Sequence, residues 1–325
     1  MNTLIIQTAF TGDVILATPL IEKMHRFYPS ASIDFLLRKG NEGLLAGHPF
    51  LNEVIIWDKK TNKQKKLFSL ISKVRSKKYD VVINAHRFAS SGLITALSGA
   101  KTTIGFNKNP LSFLFSKRII HKIGDGTHEV QRNLNLITSL TDDSFQLPKL
   151  YPSSSDYASV KEFKDKPYIC IAPTSVWFTK QWPKEKWIEL IPTLSPNKIY
   201  LIGGPTDFSI CEDIKNALAS HKYGATVENL SGKLSYLQSA ALIKDATMNF
   251  VNDSAPLHMA SAMNAPVTVV FCSTVPDFGF GPLSDHSKVV ETSARLDCRP
   301  CGLHGYQACP KGHFKCALTI KPEEL

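Results

Sequence analysis

No apolar run in this 325-residue chain approaches the ~18 residues that cross a bilayer. The opening segment, MNTLIIQTAFTGD, lacks the basic n-region and the apolar h-region of a secretory signal. Both absences point to a soluble, cytoplasmic chain. Wholesale disorder is excluded, because 43% of the residues are hydrophobic and only 20% are charged. No GxGxxG occurs, which argues against a dinucleotide fingerprint. No DxD occurs either, so a nucleotide-sugar site here would favour chemistry without a divalent metal.

Acidic residues are scarce in one half only. Residues 1–150 hold 21 Lys and Arg against 11 Asp and Glu, and residues 151–325 hold 17 of each. The whole +10 excess therefore sits in the first half. A basic half beside a neutral one suggests an anionic partner: nucleic acid, a membrane surface or a phosphorylated substrate. The run Lys59–Lys66 taken alone reads equally well as a solvated face; the half as a whole reads as a ligand surface.

What is present is α/β alternation. Thr3–Thr8, Ser32–Arg38, Glu53–Trp57, Asp80–Ala85 and Thr102–Phe106 read as strands with helical patterns between them, the first being the apolar spacing Val14, Leu16, Ala17, Leu20, Ile21, Met24. The pattern stops in a Pro-, Ser- and charge-rich linker, Leu147–Lys166. It resumes with strands Tyr168–Pro173, Lys198–Gly204, Thr247–Asp253 and Pro266–Phe271, and helices near Lys184–Leu194, Asp207–Ser220, Leu234–Ile243 and Pro256–Met263. We expect two doubly wound, Rossmann-like domains, residues 1–155 and 156–325, facing a central cleft. Ligands in such sheets bind beyond the carboxyl ends of the strands.

Four strand ends carry candidate chemistry. After the first, Asp13 sits in the first helical turn, where it serves as a capping carboxylate or as a general base. After Tyr168–Pro173, Thr174, Ser175 and Lys180 suit a phosphate, although a surface loop with a packed tryptophan fits as well. Gly203 and Gly204 admit a close ligand, and Asp207 suits a ribose or a helix cap. At the fourth, Asp253, Ser254 and His258 run into an apolar helix whose N-terminus can bind an anion.

Of seven cysteines, Cys170 and Cys272 read as core-strand residues, while Cys211 is isolated. Cys298, Cys301, Cys309 and Cys316 cluster, with His304 and His313 nearby. They suit zinc, an iron–sulfur cluster or a structural loop without metal; only the first pair has zinc-ribbon spacing. A cytoplasmic setting disfavours disulfides.

Together, TAFTGDVILATPLI, HEVQRNLNLI (His128–Ile137), TKQWPKEKW (Thr179–Trp187), NDSAPLHMASAMNAPVTVVF (Asn252–Phe271) and DCRPCGLHGYQACPKGHFKC resemble glycosyltransferase family 9, the ADP-heptose:lipopolysaccharide heptosyltransferases, the heptosyltransferase II type among them. The resemblance covers essentially the whole chain. It implies a GT-B fold, with an acceptor domain first and a nucleotide-sugar domain second. It implies an inverting transfer at the cytoplasmic face of the inner membrane, without metal or other cofactor. The donor would be ADP-heptose and the acceptor an anionic lipopolysaccharide core rather than a nucleic acid.

By position, Asp13 matches the catalytic base. Thr11, Gly12 and Arg87 fall on the acceptor side, where Lys101, Lys108, Arg118, Lys122 and Arg132 could also meet phosphates. Ser175 and Lys180 match the diphosphate loop, with Thr174 beside them on the donor side and Lys180 aiding catalysis. Asp207 falls at the adenosine ribose. Asp253, Ser254, Ala255 and His258 match the segment around diphosphate and heptose. Family members often carry Gly where Ala255 stands, so another nucleotide sugar is an alternative donor. A non-catalytic binder of anionic polymer or membrane is a third reading. Relatives often continue into a final helix beyond Pro322–Leu325.

Overall fold

A computed structural model describes residues 1–59, 63–194, 198–219 and 226–325. Lys60, Thr61 and Asn62 of the basic run, and Ser220 at the end of an expected helix, lie outside the described residues. The chain divides between Tyr151 and Pro152, rather than after residue 155. Tyr151 belongs to the first unit because its hydroxyl donates to Glu22 and its ring meets His48 edge-on. Ser153, two residues on, caps the first helix of the second unit.

The first unit runs β1 (Asn2–Ile6), α1 (Thr11–Phe27), β2 (Ser32–Arg38), β3 (Glu53–Trp57), α2 (Lys63–Ser76), β4 (Val81–Asn84), α3 (Ala89–Ala96), β5 (Thr102–Phe106), β6 (Lys117–Ile119) and α4 (Glu129–Asn135). Its sheet has the order β3-β2-β1-β4-β5-β6, and every pairing is parallel. The central strands are near-continuous apolar runs because helices cover both faces. Leu4, Ile6, Leu36, Ile55, Val82 and Ile94 share one core cluster. Burying each such side chain stabilises the fold by about 1.5–3 kcal/mol.

Helix α1 contains Pro19, which cannot donate to the Ile15 carbonyl. The Thr18 hydroxyl donates to that carbonyl instead, at 2.8 Å. Lys149 N–H in turn donates to the Thr18 oxygen at 3.0 Å, tying the end of the unit across the helix.

The second unit runs α5 (Ser154–Ser159), β7 (Tyr168–Ala172), α6 (Lys184–Leu190), β8 (Lys198–Leu201), α7 (Phe208–Ala219), β9 (Val227–Asn229), α8 (Tyr236–Lys244), β10 (Met248–Asn252), α9 (Ala255–Met263), β11 (Val267–Phe271), β12 (Ser287–Glu291) and α10 (Lys315–Leu318). Its parallel sheet has the order β12-β11-β10-β7-β8-β9. The same switch point recurs in both sheets: the first strand of each unit lies inside it, with a crossover on either side. Cys170, Cys211 and Cys272 are buried in this unit.

Strands β6, β9 and β12 were not expected from the sequence. All three are edge strands, with sequences KRI, VEN and SKVVE. An edge strand needs no apolar run on both faces and is commonly short and charged, so the periodicity that marks central strands is missing from it.

Candidate active site

In the first unit the chemistry collects at the carboxyl end of β1. Thr8 follows that strand and is held from two sides. Its hydroxyl lies 3.1 Å from His86 Nδ1, and Lys59 Nζ donates to its carbonyl at 2.8 Å. The Lys59 ammonium also lies over the Trp57 ring, 4.5 Å from its centroid. Asn41 bridges the next turn: its amide donates to Ala9 O at 3.2 Å and its oxygen accepts from the Thr11 hydroxyl at 3.2 Å. Neither Asn41 nor the individual role of Lys59 was legible beforehand, because one is a lone polar residue and the other sat within a charge run.

That turn delivers Asp13 into the first turn of α1, with Gly12 beside it at intermediate exposure. Asp13 Oδ2 accepts the Phe10 N–H at 3.0 Å, so the carboxylate does cap the helix. Surrounding protein raises its pKa from 3.8 to about 6. Loss of hydration is the main cause, followed by the negative charge of Glu129; the Phe10 N–H and the Arg87 guanidinium pull the other way. The capping carboxyl is therefore also one of near-neutral pKa. His86 is buried, and desolvation with the charges of Lys59 and Arg87 lowers its pKa to about 3. It is neutral at physiological pH and works as a hydrogen-bonding strut between Thr8 and Ser91.

In the second unit three strand ends carry side chains of interest. Lys180 Nζ lies 2.7 Å from Asp253 Oδ2, and both side chains are largely buried. The Thr274 hydroxyl donates to the same oxygen at 2.6 Å. The fold thus joins Lys180, which follows β7, to Asp253 after β10 and Thr274 after β11. Asn252 fixes the loop: its oxygen accepts the Trp182 N–H at 2.9 Å, and its amide reaches Ala172 O at 3.4 Å. Thr174 is buried and Ser175 half-buried at the start of the same loop. Ser254 and Ala255 stand half-buried at the start of α9, and His258 is buried one turn in, its ring 6.4 Å from that of Phe280.

Asp207 is not joined to this group by any contact among the described residues. Its Oδ2 accepts the Gly204 N–H at 2.7 Å, which is the capping role weighed from the sequence. Gly203 permits this fold-back, since a Cβ there would lie 2.7 Å from Asp207 Oδ2 and 2.9 Å from its Cβ.

The cysteine-rich segment has a supporting role that its spacing did not disclose. Thr179 N–H donates to Tyr306 O at 3.0 Å, and Tyr306 N–H donates back to the Thr179 hydroxyl at 2.8 Å. Ser273 donates to the same hydroxyl at 3.0 Å. Arg299 binds the carbonyls of Cys272 and Thr274, each at 2.8 Å. Residues 299–306 thereby brace the loops that carry Lys180 and Thr274. Cys298 Sγ lies 3.7 Å from His313 Nε2, and all seven cysteines are free thiols. Among the described residues no three His, Cys, Asp or Glu side chains converge to hold a metal ion.

Comparison with known proteins gives the chain a family. Lipopolysaccharide heptosyltransferase 3 of Escherichia coli is 29% identical over 283 residues, spanning 82% of each chain. Two solved structures share the fold. The ADP-heptose lipopolysaccharide heptosyltransferase II of E. coli has a TM-score of 0.79 and 24% identity, covering 100% of this chain and 96% of that one. A glycosyl transferase family 9 protein of Veillonella parvula DSM 2008 has a TM-score of 0.78 and 22% identity, covering 90% and 86%. The two parallel sheets are thus the paired Rossmann-like sheets of the GT-B class. The model of glycosyltransferase family 9 (heptosyltransferase) matches residues 67–304. The chain is a glycosyltransferase and belongs to glycosyltransferase family 9.

Proposed function

We propose that the protein transfers a heptose from ADP-heptose to the anionic inner core of lipopolysaccharide, with inversion and without a metal ion. The observation that carries this reading is Asp13, a carboxyl with its pKa raised to about 6 at a strand end in the basic unit. A base of that strength is still ionised at neutral pH and accepts a proton better than an ordinary carboxylate. In the transfer, the acceptor hydroxyl loses its proton to Asp13 as its oxygen forms a bond to the anomeric carbon. The bond from that carbon to the diphosphate oxygen breaks on the opposite face, and ADP leaves with the electron pair.

The second unit takes the donor. Lys180 offers three N–H donors and spends one on Asp253. The others suit the diphosphate, with the hydroxyls of Thr174 and Ser175 and the first amides of α9, beside Ser254 and Ala255, adding hydrogen bonds. Those groups supply the positive potential that a divalent ion supplies elsewhere. Both contacts of Asp253 fall on Oδ2, which leaves Oδ1 to accept from a sugar hydroxyl, with His258 close behind. Asp207 uses one oxygen as a cap and offers the other to a ribose.

On the acceptor side, Thr11, Gly12 and Arg87 flank Asp13, and Arg87 suits a core phosphate. Exposed Phe88, Phe113, Leu114 and Ile120 stand close in sequence to Arg87, Lys108, Lys117, Arg118 and Lys122. That mixture suits peripheral contact with an anionic bilayer. Among the described residues no helix is long and apolar enough to cross a membrane.

The test is ADP release from ADP-heptose with a truncated lipopolysaccharide acceptor in EDTA, comparing the wild type with a folded, donor-binding Asp13→Asn variant. Acceptor-dependent release by the wild type, lost in the variant, is the expected result. Full activity in the variant would remove Asp13 from the mechanism. No turnover by the wild type, with tight binding of another nucleotide sugar, would move the donor assignment.

A further inference from the structure

The segment HEVQRN contains a buried charged cluster that the transfer scheme above does not use. Glu129, Arg132 and His121 are each at most 4% exposed. Arg132 Nε lies 2.6 Å from Glu129 Oε2, and His121 Nε2 lies 3.6 Å from the same oxygen. His121 is anchored in turn, its N–H donating to Asn107 Oδ1 at 3.0 Å and its ring meeting Phe106 edge-on. Arg132 also donates to Thr127 O. Burying such charges costs several kcal/mol per ion, and apolar replacements commonly hold helices together as well or better. Packing alone therefore gives no reason for a carboxylate at position 129.

Its place in the fold does. Helix α4 lies along α1, and Asn133 donates to the Leu16 carbonyl at 3.0 Å. One turn back along α4 is Glu129, and one turn back along α1 is Asp13. The negative charge of Glu129 acts on Asp13 where α1 begins, and His121 and Arg132 hold the Glu129 carboxyl below its usual range despite its burial.

We propose that Glu129 is a positioning residue for the transfer: its buried carboxylate, locked by Arg132 and His121, is a fixed negative charge that makes Asp13 a stronger proton acceptor than a surface carboxylate. The proposal rests on Asp13 being the base. The field at Asp13 has other sources. Arg87 opposes Glu129 directly, while Lys59 and neutral His86 lie across the Thr8 turn, and Arg38 covers the Phe10 ring. Glu129 is the anion of this group, so removing its charge leaves Arg87 and Lys59 to dominate and weakens the base.

The experiment compares wild type, Glu129→Gln, Glu129→Asp and the double variant Glu129→Gln/Arg132→Gln. The double variant avoids a buried guanidinium without its carboxylate, so it reports even if Glu129→Gln does not fold. Two quantities are read: the pH profile of kcat/KM, and the titration of the Asp13 carboxyl carbon by NMR, assigned by its loss in Asp13→Asn. In Glu129→Gln and the double variant, the acid limb and the Asp13 titration move together to lower pH by about 0.5–1. Maximal kcat falls several-fold, and Glu129→Asp restores the limb. An Asp13 titration unchanged in both folded, charge-free variants overturns the proposal. Activity surviving in Asp13→Asn overturns the base assignment beneath it, and that failure is distinct because the NMR titration does not depend on turnover.

Discussion

Replacing Asp13 by asparagine should abolish transfer and stabilise the fold. In the unfolded chain the carboxyl returns to its ordinary pKa of 3.8, whereas in the folded unit it sits at about 6. Below pH 3.8 both states are protonated and the group contributes nothing. As pH rises the unfolded state ionises first, so native stability is progressively lost, and the loss is complete above the folded pKa. A displacement of about two pH units at ~1.4 kcal/mol each makes ionised Asp13 a burden of about 2–3 kcal/mol at pH 7.5. Asparagine keeps an oxygen to accept the Phe10 N–H without carrying that charge. The Asp13→Asn midpoint should therefore lie about 5–10 °C above the wild type at pH 7.5 in the transition that reports the first unit. The gap should shrink to about 1 kcal/mol at pH 4.5. Thermal and urea unfolding at the two pH values, followed by an intrinsic fluorescence probe, read the midpoint and the gap. A destabilised variant, or a gap of equal size at both values, would show that the carboxylate is not held under electrostatic strain.

Three further outcomes follow from the contacts. Lys180→Ala should weaken ADP binding at least 10-fold by calorimetry, because it removes the ammonium and leaves the Asp253 carboxylate near the diphosphate. Gly305→Ala places a Cβ 2.7 Å from Thr179 Oγ1 and 3.1 Å from Lys180 Cγ, at a φ of +76°. It should cost about 1–3 kcal/mol in denaturant unfolding and also lower ADP affinity, showing that the cysteine-rich segment positions the donor loop. Lys23 is fully buried and donates to the carbonyls of Asp142 at 2.8 Å and Ser144 at 2.6 Å. Lys23→Met should lower stability by about 1–3 kcal/mol while leaving ADP affinity unchanged, measured by the same two methods.

Much of this molecule could be read in advance where burial writes itself into the chain. Strands β1, β7, β10 and β11 are apolar on both faces and stand out without any partner. Asp13, Lys180 and Asp253 were singled out because ligands gather beyond strand ends: Asp253 directly follows β10, Asp13 lies in the first turn of the helix after β1, and Lys180 lies in the loop after β7. The edge strands β6, β9 and β12 were not legible, since they are short or charged and lack the apolar run that made the fourth edge strand, β3, visible. Thr274, Asn41 and Glu129 were missed for a different reason. Each is an ordinary polar residue whose neighbours lie far along the chain: Thr274 is 21 positions from Asp253, and Glu129 sits on another helix from Asp13.

By itself, then, the amino-acid order determined the α/β alternation, the two-unit division and the family, because hydrophobic period and strand-end motifs are local properties. Tertiary structure decided what the motifs do. It raised the pKa of a helix-capping aspartate towards neutrality, joined Lys180 to Asp253 and Thr274, and set the cysteine-rich segment as a brace behind them. Those properties depend on desolvation and on charge pairs between distant segments, and neither exists until the chain has folded.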